Sequence, residues 1–147
     1  MKLAIATDHR GYELKTALMA DGQLSDIEWV DLGCFSSVRC DYPPYAQELS
    51  RAIQKGYVQH GILLCGSGIG MAVAANRFDG IVAGVVWHPT VARQAKEDDN
   101  VNVLVLPADY IDEATAVACI KEWMLATFKG ERYQHRLDII ASWGGIK

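Results

Sequence analysis

The chain has 147 residues, enough for one domain with a substantial core, and half of them are apolar while 22% are charged. A formal net charge of −4 and scattered Lys and Arg residues argue against a nucleic-acid-binding surface. The apolar run at the start is too short for a signal peptide or a membrane span. We therefore expect a cytoplasmic protein with a single domain over residues 1–147.

Strand-like and helix-like segments alternate along the chain. Residues 2–7 form an apolar, partly β-branched run that predicts a strand, and Leu14, Leu18 and Met19 have the spacing of a helix over residues 12–24. The same alternation continues to the end. It predicts strands at 27–32, 61–65, 81–87 and 101–106, and helices at 43–55, after residue 70, at 90–97, 112–128 and 131–143.

This alternation predicts an α/β fold. Strands buried on both faces and separated by helices form a parallel sheet with right-handed crossovers. We expect a three-layer α-β-α, Rossmann-like arrangement of five parallel strands, with helices on both faces and an extra C-terminal helix. Ligands of such sheets bind at the carboxyl ends of the strands. We place several polar segments at that edge: Asp8-His9, residues 36–42, residues 65–70, His88 and residues 98–102.

Residues 60–76 read as a strand, a glycine turn and a helix of small residues. The turn Gly66-Ser67-Gly68-Ile69-Gly70 leaves backbone amides free near a helix start, which suits an anion. Cys65 precedes the turn and is a candidate base or nucleophile. The alternative is an inert cysteine that ends a buried strand. A dinucleotide site is disfavoured because Met71 stands where the third glycine of G-x-G-x-x-G belongs.

Cysteine spacing predicts neither disulfides nor a structural metal site. The cysteines at 34, 40, 65 and 119 contain no CxxC pair and no Cys/His cluster with zinc spacing. We expect no metal ligands in this chain.

Four strings together resemble one enzyme family. They are TDHRGYELK at 7–15, DYPPYA at 41–46, LCGSGIGMAVAANR at 64–77 and ERYQHR at 131–136. They resemble the ribose-5-phosphate isomerase type B and galactose-6-phosphate isomerase family over essentially the whole chain. The resemblance implies homodimers or related assemblies without metal or other cofactors. It also implies interconversion of aldose and ketose phosphates through a cis-enediolate, with ribose 5-phosphate and ribulose 5-phosphate as the default pair.

The resemblance also implies roles for individual residues. Cys65 would be the base that moves the proton, and Ser67 would help to hold the enediolate oxygen. Asn76 would support the glycine loop, and the segment 131–147 would reach a partner subunit. The substrate-binding residues implied in this way are Asp8, His9, Tyr42, Gly66, Gly68, Gly70, Arg132 and Arg136.

Three positions depart from the family pattern. Asp98 and Asp99 stand where the family commonly has His and Asn, and Asp109 stands where it usually has a phosphate-binding Arg. Asp98 is then the candidate base for ring opening, and Asp99 the candidate hydroxyl ligand. Arg10 and Arg39, both in loops at the strand ends, are candidates to replace the missing arginine.

Other interpretations stay open. Because the added acids oppose a dianionic ligand, one alternative is an isomerase for a different sugar, unphosphorylated or short-chain. Another is a non-catalytic sugar-phosphate-binding subunit. A flavin or nucleotide carrier on a similar sheet is a third possibility. Individual residues also have structural alternatives: Asp8 as a helix cap, His9 as a solvated side chain, and Arg132 and Arg136 as surface partners of Glu131 or Asp138.

Overall fold

A computed structural model describes residues 1–144. It contains a five-stranded parallel sheet in the order β2-β1-β3-β5-β4. The strands are β1 Lys2–Thr7, β2 Glu28–Asp31, β3 His60–Cys65, β4 Ala83–Val85 and β5 Val103–Pro107. The α-helices in the described part are α1 Tyr12–Ala20, α2 Pro43–Gln54, α3 Ile69–Ala75, α4 Pro89–Asp99, α5 Glu113–Leu125 and α6 Arg132–Ser142. The predicted fold is confirmed.

Two hydrophobic cores lie on the two faces of the sheet, because successive side chains of a strand point to opposite sides. On one face, strand residues such as Ile5, Leu64 and Leu104 pack with residues of α1, α4 and α5. On the other face, Ala6 and Leu63 pack with residues of α2 and α3. This gives the three expected layers. No helix within residues 1–144 is long and apolar enough to cross a membrane.

The crossovers diverge between β1 and β3. β1 continues through α1 to β2 on one side, whereas β3 continues through α3 to β4 on the other side and on the opposite face. Such a topological switch point leaves a crevice at the carboxyl ends of the two strands. The loops that begin there carry Asp8 and Gly66.

Several boundaries differ from the sequence-based expectation. α1 ends at Ala20, and a 3-10 turn follows at Gly22–Leu24, with Asp21 Oδ1 accepting from the Gln23 N–H at 2.8 Å. β4 has three residues instead of seven. Its approach leaves the regular ladder because the Val82 N–H donates to Asn102 Oδ1 at 2.9 Å. The helix predicted to reach residue 128 ends at Leu125, where the next residue is extended.

Candidate active site

The loops after β1, β3 and β5 meet at one edge of the sheet, which we call the carboxyl rim. The Ala108 N–H donates to the Cys65 carbonyl at 2.9 Å, and the Asp109 N–H donates to the Gly66 carbonyl at 3.0 Å. The Asp8 N–H donates to the Leu64 carbonyl at 3.4 Å. Backbone bonds therefore fix the three loops relative to one another.

The glycine loop presents free amides at this rim. Gly68 has a φ of 76° and a ψ of −18°, a left-handed conformation that glycine adopts without strain. Ser67 Oγ accepts from the Ile69 N–H at 3.2 Å. Within residues 1–144, the N–H groups of Gly66, Ser67 and Gly68 donate to no protein acceptor. Three adjacent free donors form a site for an anionic oxygen.

Cys65 directly precedes these donors in the chain. Its side chain is 5% exposed and belongs to the core that faces α2 and α3, with Met71 and Val105. Burial agrees with the inert alternative, whereas the position at the end of β3 makes Cys65 the residue before the three free amides. The ring of Tyr42 covers the next turn, since a Cβ at Gly70 would lie only 2.6 Å from its Cζ.

Asp8 and His9 are both held by backbone contacts. Asp8 is 5% exposed, and its Oδ1 accepts from the Arg10 N–H at 2.9 Å, so within this chain it does act as the predicted cap. His9 is half-buried rather than freely solvated. Its Nδ1 lies 3.2 Å from both the backbone nitrogen and the backbone oxygen of Cys40. This contact ties the loop before α2 to the rim.

An ion pair closes one side of the rim. The Nη2 group of Arg10 donates to Oδ2 of Asp109, which connects the loops after β1 and β5. Arg10 and Asp109 are 99 positions apart in the sequence. Sequence patterns therefore indicate each residue separately but not their pairing.

Asp98 and Asp99 do not share this rim, which corrects the expectation for residues 98–102. They end α4 and precede β5, and a segment that precedes a strand lies at its amino end. Asn102 confirms the placement, because its carbonyl accepts from the Gly61 N–H at the start of β3. About 15 Å of strand therefore separates Asp98 from Cys65 of the same chain.

A cluster of cations lies at this opposite edge. Lys129 Nζ and the guanidinium carbons of Arg132 and Arg136 lie 4.9–5.3 Å from the ring centre of Tyr133. Lys129 also contacts Asp98 at 2.9 Å and Glu97 at 3.3 Å. The hydrogen bond that Lys129 donates to Asp98 raises the pKa of Lys129. We call Lys129, Arg132, Tyr133 and Arg136 the Tyr133 cation cluster.

The cluster includes two residues that the sequence analysis did not select. Lys129 and Tyr133 line a surface cavity of about 460 Å³ together with Arg132. Arg132 Nη2 donates to Tyr133 Oη at 2.9 Å, and its guanidinium also lies over the Tyr133 ring, so its partner in the structure is Tyr133 and not Glu131 or Asp138, the partners of the surface alternative. The signal available in the sequence was the density of cations and one aromatic residue over residues 129–136.

Asn76 is also displaced from its expected role. It ends α3 at the far side from the glycine loop, where Nδ2 donates to the Ala83 carbonyl at 2.9 Å and Oδ1 accepts from the Ala83 N–H at 2.8 Å. The side chain therefore pairs with β4 like a strand residue and does not contact the glycine loop.

Metal ligands do not converge in the described part of the chain. No group of three or more His, Cys, Asp or Glu side chains within residues 1–144 has the geometry to hold an ion. The four cysteines are free thiols.

The fold and the rim define an α/β protein in which a cysteine and a glycine turn with free amides lie at the switch point. Residues 3–140 match the model of the Ribose/Galactose Isomerase family, and the chain belongs to that family. The relationship inferred from the four sequence strings is thus confirmed, and with it the assignment to the isomerase class of enzymes.

Relatives and solved structures agree with this assignment. The chain is 36% identical over 141 residues to Ribose-5-phosphate isomerase B of Escherichia coli (strain K12), covering 96% of this chain and 95% of that protein. It resembles the ribose 5-phosphate isomerase of Thermotoga maritima with a TM-score of 0.92 and 38% identity, covering 96% of this chain and 97% of that one. The Mycoplasma genitalium Ribose-5-phosphate Isomerase B with bound ribulose-5-phosphate gives a TM-score of 0.91 and 30% identity, covering 99% and 97%.

Proposed function

We propose that this protein interconverts an aldose phosphate and a ketose phosphate by proton transfer at Cys65, with ribose 5-phosphate and ribulose 5-phosphate as the substrate pair. The observation that carries the proposal is that three amides without a protein acceptor directly follow the cysteine that ends β3 at the switch point. The relatives named above support this pair: one is named Ribose-5-phosphate isomerase B, and another structure contains bound ribulose-5-phosphate. The reaction belongs to pentose phosphate metabolism in the cytoplasm, where free thiols persist.

The chemistry needs a base and a donor set on the same side of the sugar. The Cys65 thiolate takes the proton from the carbon next to the carbonyl and returns it to the neighbouring carbon. The amides of Gly66, Ser67 and Gly68 stabilise the negative oxygen that develops in the enediolate. Asp8 and His9 bind hydroxyl groups, and the ring of Tyr42 forms one wall.

The added acids do not exclude a phosphate. Asp109 is paired with Arg10, and Asp98 is paired with Lys129. Two of the three acids that depart from the family pattern therefore have a cation of the same chain beside them. This pairing favours a phosphorylated sugar over the unphosphorylated alternative, because an added carboxylate repels a dianion most strongly when it is unpaired.

We further propose that a second copy of the chain completes the site. Arg132, Arg136 and Asp98 lie at the opposite edge of the sheet from Cys65, so one chain cannot place both sets on one small sugar. A two-fold arrangement would bring the Tyr133 cation cluster of one copy to the carboxyl rim of the other. Ile69 and Val73, both 58% exposed on α3, offer an apolar surface for such contact.

The proton-transfer assignment is tested by removing the thiol. Cys65→Ala should lower kcat for ribose 5-phosphate by about 10³-fold or more, while circular dichroism and the unfolding midpoint stay close to wild type. Cys119→Ala is the matched control, because Cys119 is a fully buried thiol in the other core. Wild-type turnover in Cys65→Ala would rule out this base.

The shared site is tested by mixing inactive chains. Cys65→Ala and Arg132→Ala homodimers should each be nearly inactive. After the two are unfolded and refolded together, about a quarter of wild-type activity should return, because half of the dimers carry one intact site of two. A mixture that stays inactive would show that one chain supplies both residues to each site.

The non-catalytic alternative has its own signature. A sugar-phosphate-binding subunit would gain thermal stability with ribose 5-phosphate and show no turnover with any sugar phosphate. Turnover by the purified protein, with no other kind of chain present, would exclude the non-catalytic alternative.

A further inference from the structure

Arg10 extends its guanidinium group across the glycine loop. A Cβ atom at Gly66 would overlap the Nε, Cζ and Nη1 atoms of Arg10, so the group lies flat against the backbone there. Gly66 directly follows Cys65. The positive charge of Arg10 therefore lies beside the free amides that we assign to the developing oxyanion, and only a residue without a side chain at position 66 admits it.

Asp109 holds this guanidinium through one nitrogen. Nη2 donates to Asp109 Oδ2, and the Asp109 backbone N–H donates to the Gly66 carbonyl at 3.0 Å, so the pair is fixed to the loop from both ends. Within residues 1–144, Nε and Nη1 donate to no protein acceptor. The side chains of Arg10 and Asp109 are 52% and 34% exposed. The guanidinium thus keeps accessible donors for a second anion.

We propose that Arg10 binds the anionic group of the substrate at the carboxyl rim, and that Asp109 sets the strength of that binding. Binding of a substrate by Arg10 rests on the proposed function, whereas binding of an anion by Arg10 does not require turnover. Arg10 attracts the anion through direct contact, whereas Asp109, which accepts from Nη2, repels it from farther away. Specificity for a charged over an uncharged sugar is then the difference between these two effects.

The two residues give opposite predictions. Arg10→Gln removes the charge and the fork, and phosphate affinity should fall about tenfold or more. Arg10→Lys keeps a point charge without the fork and should give an intermediate affinity. Asp109→Asn keeps the shape and an acceptor for Nη2 but removes the repulsion, so phosphate affinity should rise about three- to tenfold.

Two remote variants are matched controls. Arg51→Gln removes a cation from the exposed side of α2, and Asp79→Asn removes an exposed acid after α3. Each makes the same change in net charge as its rim counterpart. Both should leave phosphate affinity within about twofold of wild type, because exposed charges beyond a Debye length are screened.

The test combines binding with turnover in the full chain. Isothermal titration with inorganic phosphate gives Kd for the wild type and the variants, and initial rates give KM and kcat for ribose 5-phosphate and for unphosphorylated ribose. We expect Arg10→Gln to raise KM for the phosphorylated sugar and to leave that for ribose nearly unchanged. We expect Asp109→Asn to lower KM for the phosphorylated sugar.

Four outcomes would overturn the inference. They are a wild type that binds no phosphate, an Arg10→Gln variant with wild-type Kd, an Asp109→Asn variant that binds phosphate no more tightly than wild type, and an Arg10→Gln variant whose KM rises equally for both sugars. A wild type that binds phosphate through Arg10 but converts neither sugar would support the anion site and overturn the proposed isomerase function.

Discussion

The imidazole of His60 meets the indole of Trp123 edge to face, with ring centroids 5.7 Å apart. The indole is itself fixed, because its Nε1 donates to the Val101 carbonyl at 3.0 Å. Burial, and to a smaller extent the charge of Lys96, lowers the pKa of His60 below the ordinary value of 6.5. His60, the first residue of β3, is therefore stabilised in its neutral form.

This contact predicts a pH dependence of stability. Below pH 6.5, His60 is protonated in the unfolded chain but stays neutral in the folded chain until the pH reaches its lowered pKa. The free energy of unfolding therefore falls as the pH drops from 6.5 toward that pKa. Above 6.5 this group makes no contribution to the slope. Urea unfolding across this range should show a smaller slope for His60→Gln than for wild type. The exposed His135→Gln should keep the wild-type slope, and an unchanged slope in His60→Gln would contradict the assignment.

Replacing the buried Lys15, whose partner Asp31 is partly exposed, should lower stability. Lys15 is 1% exposed, and its Nζ donates to Asp31 Oδ1 at 2.6 Å and to the Cys34 carbonyl at 2.7 Å. Lys15→Met keeps most of the stem but leaves both acceptors without their donor, so the free energy of unfolding should fall by about 1–3 kcal/mol. Urea denaturation measures the loss. Lys121→Met, on the exposed side of α5, should change it by less than about 0.5 kcal/mol.

Replacing Asn76 by Ala should have a local effect on the edge strand β4. Asn76→Ala removes both hydrogen bonds to Ala83 and should lower the free energy of unfolding by about 1 kcal/mol. Asn76→Asp keeps an acceptor for the Ala83 N–H. Hydrogen exchange at that amide should therefore accelerate in Asn76→Ala and much less in Asn76→Asp. Equal exchange in the two variants would show that the side chain does not protect β4.

Replacing Ser67 by Ala should lower kcat with little loss of stability. Its Oγ already accepts from the Ile69 N–H, which leaves the hydroxyl proton to donate outward. Ser67→Ala should lower kcat for ribose 5-phosphate about tenfold or more, because one donor to the developing oxyanion is lost. The exposed position keeps the change in unfolding free energy below about 1 kcal/mol. Ser67→Thr retains the hydroxyl and should recover most of kcat.

The sheet and the glycine loop were predictable because their signals are local. The apolar runs of β1, β3 and β5 are continuous, since parallel strands are buried on both faces. The turn from Gly66 to Gly70 is marked by its composition alone. Family resemblance then supplied the proposed roles of Cys65 and Ser67, which local patterns left open.

The remaining features depend on distant pairing. The ion pair of Arg10 with Asp109 joins residues that are 99 positions apart, and nothing near either residue indicates the other. Asp98 was assigned to the wrong edge because its polarity was weighed without the direction of α4, which runs back toward the start of β5. Asn76 was misassigned for a similar reason, since seven helical residues carry it away from the glycine loop.

Helix α6 has no buried side chain in the single chain, over its described length Arg132–Ser142, although it contacts α4. Opening such a helix exposes little additional apolar surface, so its amides should exchange quickly with solvent while the chain is alone. Covering by a second copy would slow the same amides. Exchange at α6, followed as the protein is diluted, is thus a direct reporter of assembly that needs no substrate and no variant.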